Sequence, residues 1–179
     1  MTKLNPIDHP WMVNAGVLVV VACHAVATQL SWIPNVWSTF LASQSANQSD
    51  LYLGFVGIAG IVAAVAGIVV VFGLTSTSLR FREFRVQGGQ SLARNWSSTT
   101  ASGLVAAGFA FLASVAAYTG IAWAGPWLLE TAILLTAHAS VRLIWLLRGM
   151  INIIRADDVA VVAESKKRKT SSMPWNKAS

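Results

Sequence analysis

Two histidines stand inside long apolar segments of the sequence, where an ionisable side chain is costly. His24 lies in the first such segment and His138 in the fourth. Ionisable groups within a membrane pair with other groups or mark functional sites. The depth of each histidine is counted at 1.5 Å per residue from the end of its segment that lies on the side of the basic residues. On this count both histidines are predicted to lie ~16–20 Å inside the membrane. Two imidazoles at one depth on different helices would suit the two axial positions of a b-type haem.

Neighbouring residues fit this haem hypothesis, but they also fit a simpler one. Arg142 lies one helical turn after His138 and would face a haem propionate. Glu130, one turn inside the fourth segment, would form a quinone site with His138. In the simpler interpretation each histidine hydrogen-bonds a neighbouring helix, and Arg142 extends toward the membrane surface. We favour an interpretation with no cofactor and retain haem b as the alternative.

The remaining sequence contains little catalytic chemistry. It has no zinc-protease His–Glu spacing, no glycine-rich phosphate loop after a strand and no CxxC pair. Cys23 is the only cysteine, which excludes an intrachain disulfide and a metal cluster built from thiolates. Serine, histidine and aspartate occur without a spacing that places them together. We therefore expect a protein that is not an enzyme.

The polar residues must be positioned by four apolar helices. Of 179 residues, 55% are hydrophobic and 11% charged, whereas a soluble domain has about 25% charged residues. A membrane-spanning helix needs ~20 mostly apolar residues, and windows at 11–33, 51–77, 97–124 and 127–151 qualify. Gly125 and Pro126 are predicted to form the last tight turn. The sequence predicts an all-α polytopic membrane protein, with a four-helix transmembrane bundle in residues 1–154 and a basic tail in 155–179.

The distribution of basic residues predicts the orientation of the helices. The connection at 34–50 and the turn at Gly125 contain no Lys or Arg. The connection between the second and third helices and the C-terminal tail are both basic. Cytoplasmic connections of membrane proteins are rich in Lys and Arg, so both termini are predicted to be cytoplasmic, in the plasma (inner) membrane. A signal peptide ending near Ala25-Val26-Ala27 is the competing interpretation, but Asp8 in the leader favours a retained helix.

Small residues recur on the second and third predicted helices at spacings that suit close packing. They are Gly57, Gly60, Ala64 and Gly67, followed by Ala106, Ala110 and Ser114. Small side chains let membrane helices approach closely. The simpler interpretation is that the two helices pack against each other within the chain. Since they present more smooth surface than one contact needs, we also expect other integral membrane subunits as partners.

Two basic segments are predicted to contact anionic lipids. In residues 79–86, Phe81 and Phe84 are expected to insert into the interface, with Arg80, Arg82 and Arg85 near lipid phosphates. The tail contains a basic run that is also predicted to contact lipid headgroups, formed by Lys166, Lys167, Arg168 and Lys169. Such a tail is expected to be disordered in isolation. Nucleic-acid binding is not expected, because no aromatic–basic fold accompanies the run.

Three function hypotheses follow from these observations. The first is a non-catalytic accessory or assembly subunit of a larger membrane complex, with a respiratory-chain complex as the foremost candidate. The second is a small redox protein that binds haem b or a quinone through His24 and His138. The third is a pore-forming protein of holin type, which the size, the helix count and the basic tail would fit.

Overall fold

The computed structural model describes residues 10–42 and 45–171 and is helical throughout its regular elements. In chain order the helices are α1 (Pro10–Gln29), α2 (Ser38–Leu41), α3 (Ser45–Thr75), α4 (Leu79–Tyr118) and α5 (Gly125–Ser171). A short 3-10 helix (Ala122–Ala124) precedes α5. Helices α1, α3, α4 and α5 are each long and apolar enough to cross a membrane. The prediction of an all-α chain with four such helices is confirmed.

Helix α4 is the centre of the bundle. It packs along both α3 and α5, whereas α1 has fewer contacts in the described part of the chain and makes them mainly with α5 and α4. In the most apolar window of each helix, 44% of α4 is buried but only 6% of α1. Helix α1 is therefore a peripheral element whose position depends on a few specific contacts.

Small side chains bring α3 and α4 close together. Ala59 and Ala63 on α3 are 0% and 2% exposed, and Ala106 and Ala110 on α4 are both fully buried. A Cβ atom added to Gly103 would lie only 2.9 Å from the Cβ of Ala63. Because the backbones approach this closely, the contact depends on side chains no larger than a methyl group.

The ends of two helices differ from the sequence prediction. Helix α1 ends at Gln29 instead of near residue 33, and α4 ends at Tyr118 instead of near 124. The chain turns at Gly120, whose φ of 78° is readily adopted only by glycine. Gly125 and Pro126 do not form the turn, because they begin α5. A proline suits the first helical turn, where its missing N–H group is not needed.

Helix α5 continues far beyond the predicted span. It contains 47 residues, which corresponds to ~70 Å, while the hydrocarbon core of a bilayer is ~30 Å thick. The tail that was expected to be disordered is thus helical as far as Ser171. Neither Gly nor Pro occurs between Gly149 and Ser171 to stop the helix. The rest of the predicted tail, 172–179, lies outside the described residues.

Helix α4 consists of two helical parts joined at Gly89, whose φ of 44° and ψ of −132° are not helical. We call residues 79–88 the entry segment. Its Phe81 was expected in lipid, but that prediction is wrong, since Phe81 is 2% exposed. It belongs to a buried cluster shared by α3, α4 and α5, whose other members are Ala66, Val69, Leu143 and Met150. The entry segment places this ring in the space that α3 and α5 leave between them.

Candidate functional site

His24 pairs with Glu130 at one end of the bundle. His24 lies five residues before the end of α1 and Glu130 five residues after the start of α5. Both therefore belong to the end that carries α2 and the 3-10 helix, which we call the distal end. The other end, with the entry segment, is the basic end. His24 Nδ1 lies 2.7 Å from Glu130 Oε1, and the two side chains are 25% and 16% exposed.

Two tryptophans complete this distal cluster. Trp37, in the connection after α1, donates from Nε1 to Glu130 Oε2 at 3.1 Å. The ring of Trp127 meets the His24 imidazole edge to face, with centroids 5.2 Å apart. Both carboxylate oxygens of Glu130 are thus engaged. Which of His24 Nδ1 and Glu130 Oε1 donates in their shared hydrogen bond depends on the tautomer of the imidazole.

The structure does not bring His24 and His138 together. His138 follows Glu130, the partner of His24, by eight residues on α5. Eight residues of α-helix rise ~12 Å and rotate the side chain by ~80° beyond two full turns. A bis-histidine haem needs both imidazoles on one axis through the iron. His24, through its partner Glu130, and His138 thus lie at different levels along α5, and the haem b alternative stays a prediction.

Arg142 joins α5 to α4 through Asn95. Its Nη2 donates to the backbone oxygen of Asn95 at 3.0 Å and also to the Oδ1 of the same residue. The same backbone oxygen accepts from the Thr99 hydroxyl at 2.9 Å. Arg142 Nη1 and the Nε2 of His138, one turn away, are buried without hydrogen-bond partners in the described part of the chain. Arg142 is thus held against a neutral acceptor on α4.

Two further polar contacts cross between helices. Asn14 Nδ2 donates to Ser102 Oγ at 3.0 Å and ties α1 to α4. The hydroxyls of Ser49 and Ser114 lie 2.6 Å apart between α3 and α4. Polar contacts between membrane helices contribute ~0.6–2 kcal/mol each. Sequence reasoning missed the roles of Asn14, Ser49 and Asn95. The signal that could have found them is that each is a polar residue near the edge of an apolar segment.

The predicted small residues separate into two groups. Ala106, Ala110 and Ser114 are buried in the bundle. The residues on α3 instead form an open row, which consists of Gly57, Gly60, Ala64 and Gly67. A Cβ atom added to any of the three glycines would meet nothing within 4 Å. Their spacing of three, four and three residues confines the row to ~80° of the helix circumference, and it is separate from the buried alanines that face α4.

The predicted lipid-binding arginines have different surroundings at the basic end. Arg85 donates from Nη1 to the backbone oxygens of Gly73 and Ser76 at 2.8 and 2.9 Å, and so caps the end of α3. Arg82 is exposed, and Arg80 Nε lies 4.0 Å from Asp157 Oδ1. Lys166 and Lys167 are exposed on α5, while the side chains of Arg168 and Lys169 lie outside the described part of the chain.

Trp96 on α4 is 2% exposed. A Cβ on Gly73 would lie 2.5 Å from the ring of Trp96, so α3 accommodates the ring at a glycine.

Within the described ranges, no group of three or more His, Cys, Asp or Glu residues is arranged to hold a metal ion. Comparison of the chain with protein-family models, with curated proteins and with solved structures finds no match.

Proposed function

We propose that this chain is an accessory or assembly subunit without catalytic activity in a larger membrane complex, for which a respiratory-chain complex is the first candidate. The supporting observation is the open row on α3. The small residues that α3 needs for α4 are a separate set, with Ala59 and Ala63 at its centre. In the open row, Gly57 and Ala64 are exposed, and a Cβ added to any of the three glycines would meet nothing within 4 Å.

Glycines on an uncovered helix face favour a helix as the neighbour. A glycine exposes backbone and contributes no side-chain surface, so a contact with disordered lipid chains gains nothing from it. A second helix that packs against such a row approaches closely and gains van der Waals contacts along its length. The proposed partner is accordingly a membrane helix of another subunit. In this proposal both termini of the chain are cytoplasmic, because basic residues favour that side of a membrane.

The test is purification of the tagged protein in a mild detergent, followed by mass spectrometry of the proteins that remain bound. Stoichiometric membrane subunits of one complex are expected, and their identities would name the process. Gly57→Leu should lose these partners while the chain stays folded, because Gly57 is exposed and a Cβ atom there meets nothing within 4 Å. Ala101→Leu, at an exposed position of α4, is the matched control and should keep them.

A monomer or a homo-oligomer with no other subunit would overturn the proposal. A homo-oligomer would favour the pore-forming hypothesis, in which the open row contacts a second copy of the chain. Loss of partners in both Leu variants would show that the effect is not specific to α3.

A further inference from the structure

A groove lies between the entry segment and the part of α5 that extends beyond the bundle. The entry segment is held there by Phe81, which packs with Met150 in one buried cluster. The groove has a volume of about 350 Å³ and is lined by Arg80, Asn152, Arg155, Ala156 and Val159. Two cationic side chains and one amide from different helices therefore border one concave surface.

Most polar side-chain groups that line this groove are available to bind a ligand. In the described part of the chain, Arg155 and the side-chain amide of Asn152 make no hydrogen bond or ion pair. Arg80 has a single weak contact, in which its Nε lies 4.0 Å from Asp157 Oδ1. That contact orients the guanidinium and leaves its two terminal nitrogens for another acceptor. Planar guanidinium groups bind phosphate oxygens in pairs of parallel hydrogen bonds.

The depth of the groove fits a phosphate at a membrane surface. If the hydrocarbon core begins at Trp127, ~20 residues of α5 cross it. Asn152 then lies ~8 Å beyond the far edge of the core, at the level of lipid headgroups. Ala156 and Val159 supply an apolar wall beside the three polar side chains. We propose that Arg80, Asn152 and Arg155 form a binding site for a phosphate group, carried by an anionic lipid or free in solution.

Acidic neighbours reduce the positive charge around the groove. Asp157 offsets part of the charge of Arg80, and Glu83 lines an adjoining hollow of about 320 Å³ with Arg80 and Asn152. Binding must therefore come from directed hydrogen bonds to phosphate oxygens, because the net local charge is small. Arg94, like Arg80 and Arg155, is exposed, but it lines neither hollow.

The test uses the full-length protein in nanodiscs, with native mass spectrometry of retained lipid. In discs of phosphatidylcholine with phosphatidic acid, the wild type should retain phosphatidic acid in preference. Arg155→Gln should weaken this retention about tenfold, the loss expected for a charge-assisted hydrogen bond. Arg94→Gln removes the same charge from an exposed position of α4 outside the groove and should leave retention unchanged.

A second arm identifies the source of the phosphate. Inorganic phosphate is titrated into discs of phosphatidylcholine alone. Binding that Arg155→Gln weakens supports a site for free phosphate, whereas retention of phosphatidic acid without such binding supports a lipid site. The proposal is overturned if neither probe binds, or if Arg94→Gln and Arg155→Gln weaken binding equally.

Discussion

Replacing Gly103 with alanine tests the close contact between α3 and α4. The added Cβ would lie 2.9 Å from Ala63 Cβ, 3.1 Å from its Cα and 3.2 Å from its backbone nitrogen. Two of these three atoms belong to the α3 backbone, so no side-chain rotation can relieve the overlap. Ordinary contacts between such atoms begin near ~3.5 Å. The helices must therefore separate locally by a few tenths of an ångström or more.

The free-energy cost of separating α3 and α4 can be estimated. Extra methyl groups in a well-packed interior typically destabilise by ~1–3 kcal/mol. Alanine also raises helix propensity by up to ~1 kcal/mol relative to glycine. Gly108→Ala has the same propensity gain on the same helix, but its Cβ meets nothing within 4 Å. We therefore expect Gly103→Ala to be ~1–3 kcal/mol less stable than Gly108→Ala.

The assay is reversible unfolding of the purified protein in mixed detergent micelles, with helix content followed by circular dichroism. Both variants are compared under identical conditions with the wild type. Equal stability of the two alanine variants would refute the close approach of α3 and α4. A destabilised Gly108→Ala would instead place the contact on another face of α4.

Two further contacts between helices give predictions of their own. Asn95→Leu removes the side-chain acceptor of Arg142 and keeps the backbone acceptor, so the free energy of unfolding should fall by ~1.5–3 kcal/mol, as for the loss of one hydrogen bond to a charged group. Unfolding in mixed micelles measures this change, and wild-type stability would contradict the contact. Glu130→Leu removes the partner of His24 at the distal end. Because α1 is otherwise little buried, its backbone amides should exchange hydrogen faster in the variant, while the exchange rates of the α4 amides stay unchanged. Equal exchange rates in α1 of the variant and the wild type would show that Glu130 does not hold α1 in place.

The number and position of the long helices follow from the sequence because they depend on local hydropathy. The relative depth of residues on different helices does not follow from hydropathy. Counting the depths of His24 and His138 from the predicted basic ends of their segments assumes that each helix begins at the same plane. The structure shows α5 continuing to Ser171, so its predicted end at residue 151 was no reference point. The pairing of His24 with Glu130 depends on this register.

The position of Phe81 could not be predicted for a related reason. An alternation of aromatic and basic residues is typical of a helix at a membrane interface, and the local pattern does not distinguish lipid from a gap between helices. Only the arrangement of α3 and α5, together with the break at Gly89, directs this ring into the interior. The open row, by contrast, contains small residues that the sequence had already indicated on the second span.

The most direct test of the proposed role is photo-crosslinking from the face of α3 that carries the open row. A photoreactive phenylalanine derivative replaces Ile61, which is 66% exposed beside that row, and in a separate control replaces Leu104, which is 60% exposed on α4. Irradiation of intact membranes should give one defined product with a different membrane protein from position 61 and none from position 104. Lipid adducts alone at both positions, or a product containing only a second copy of this chain, would contradict the account.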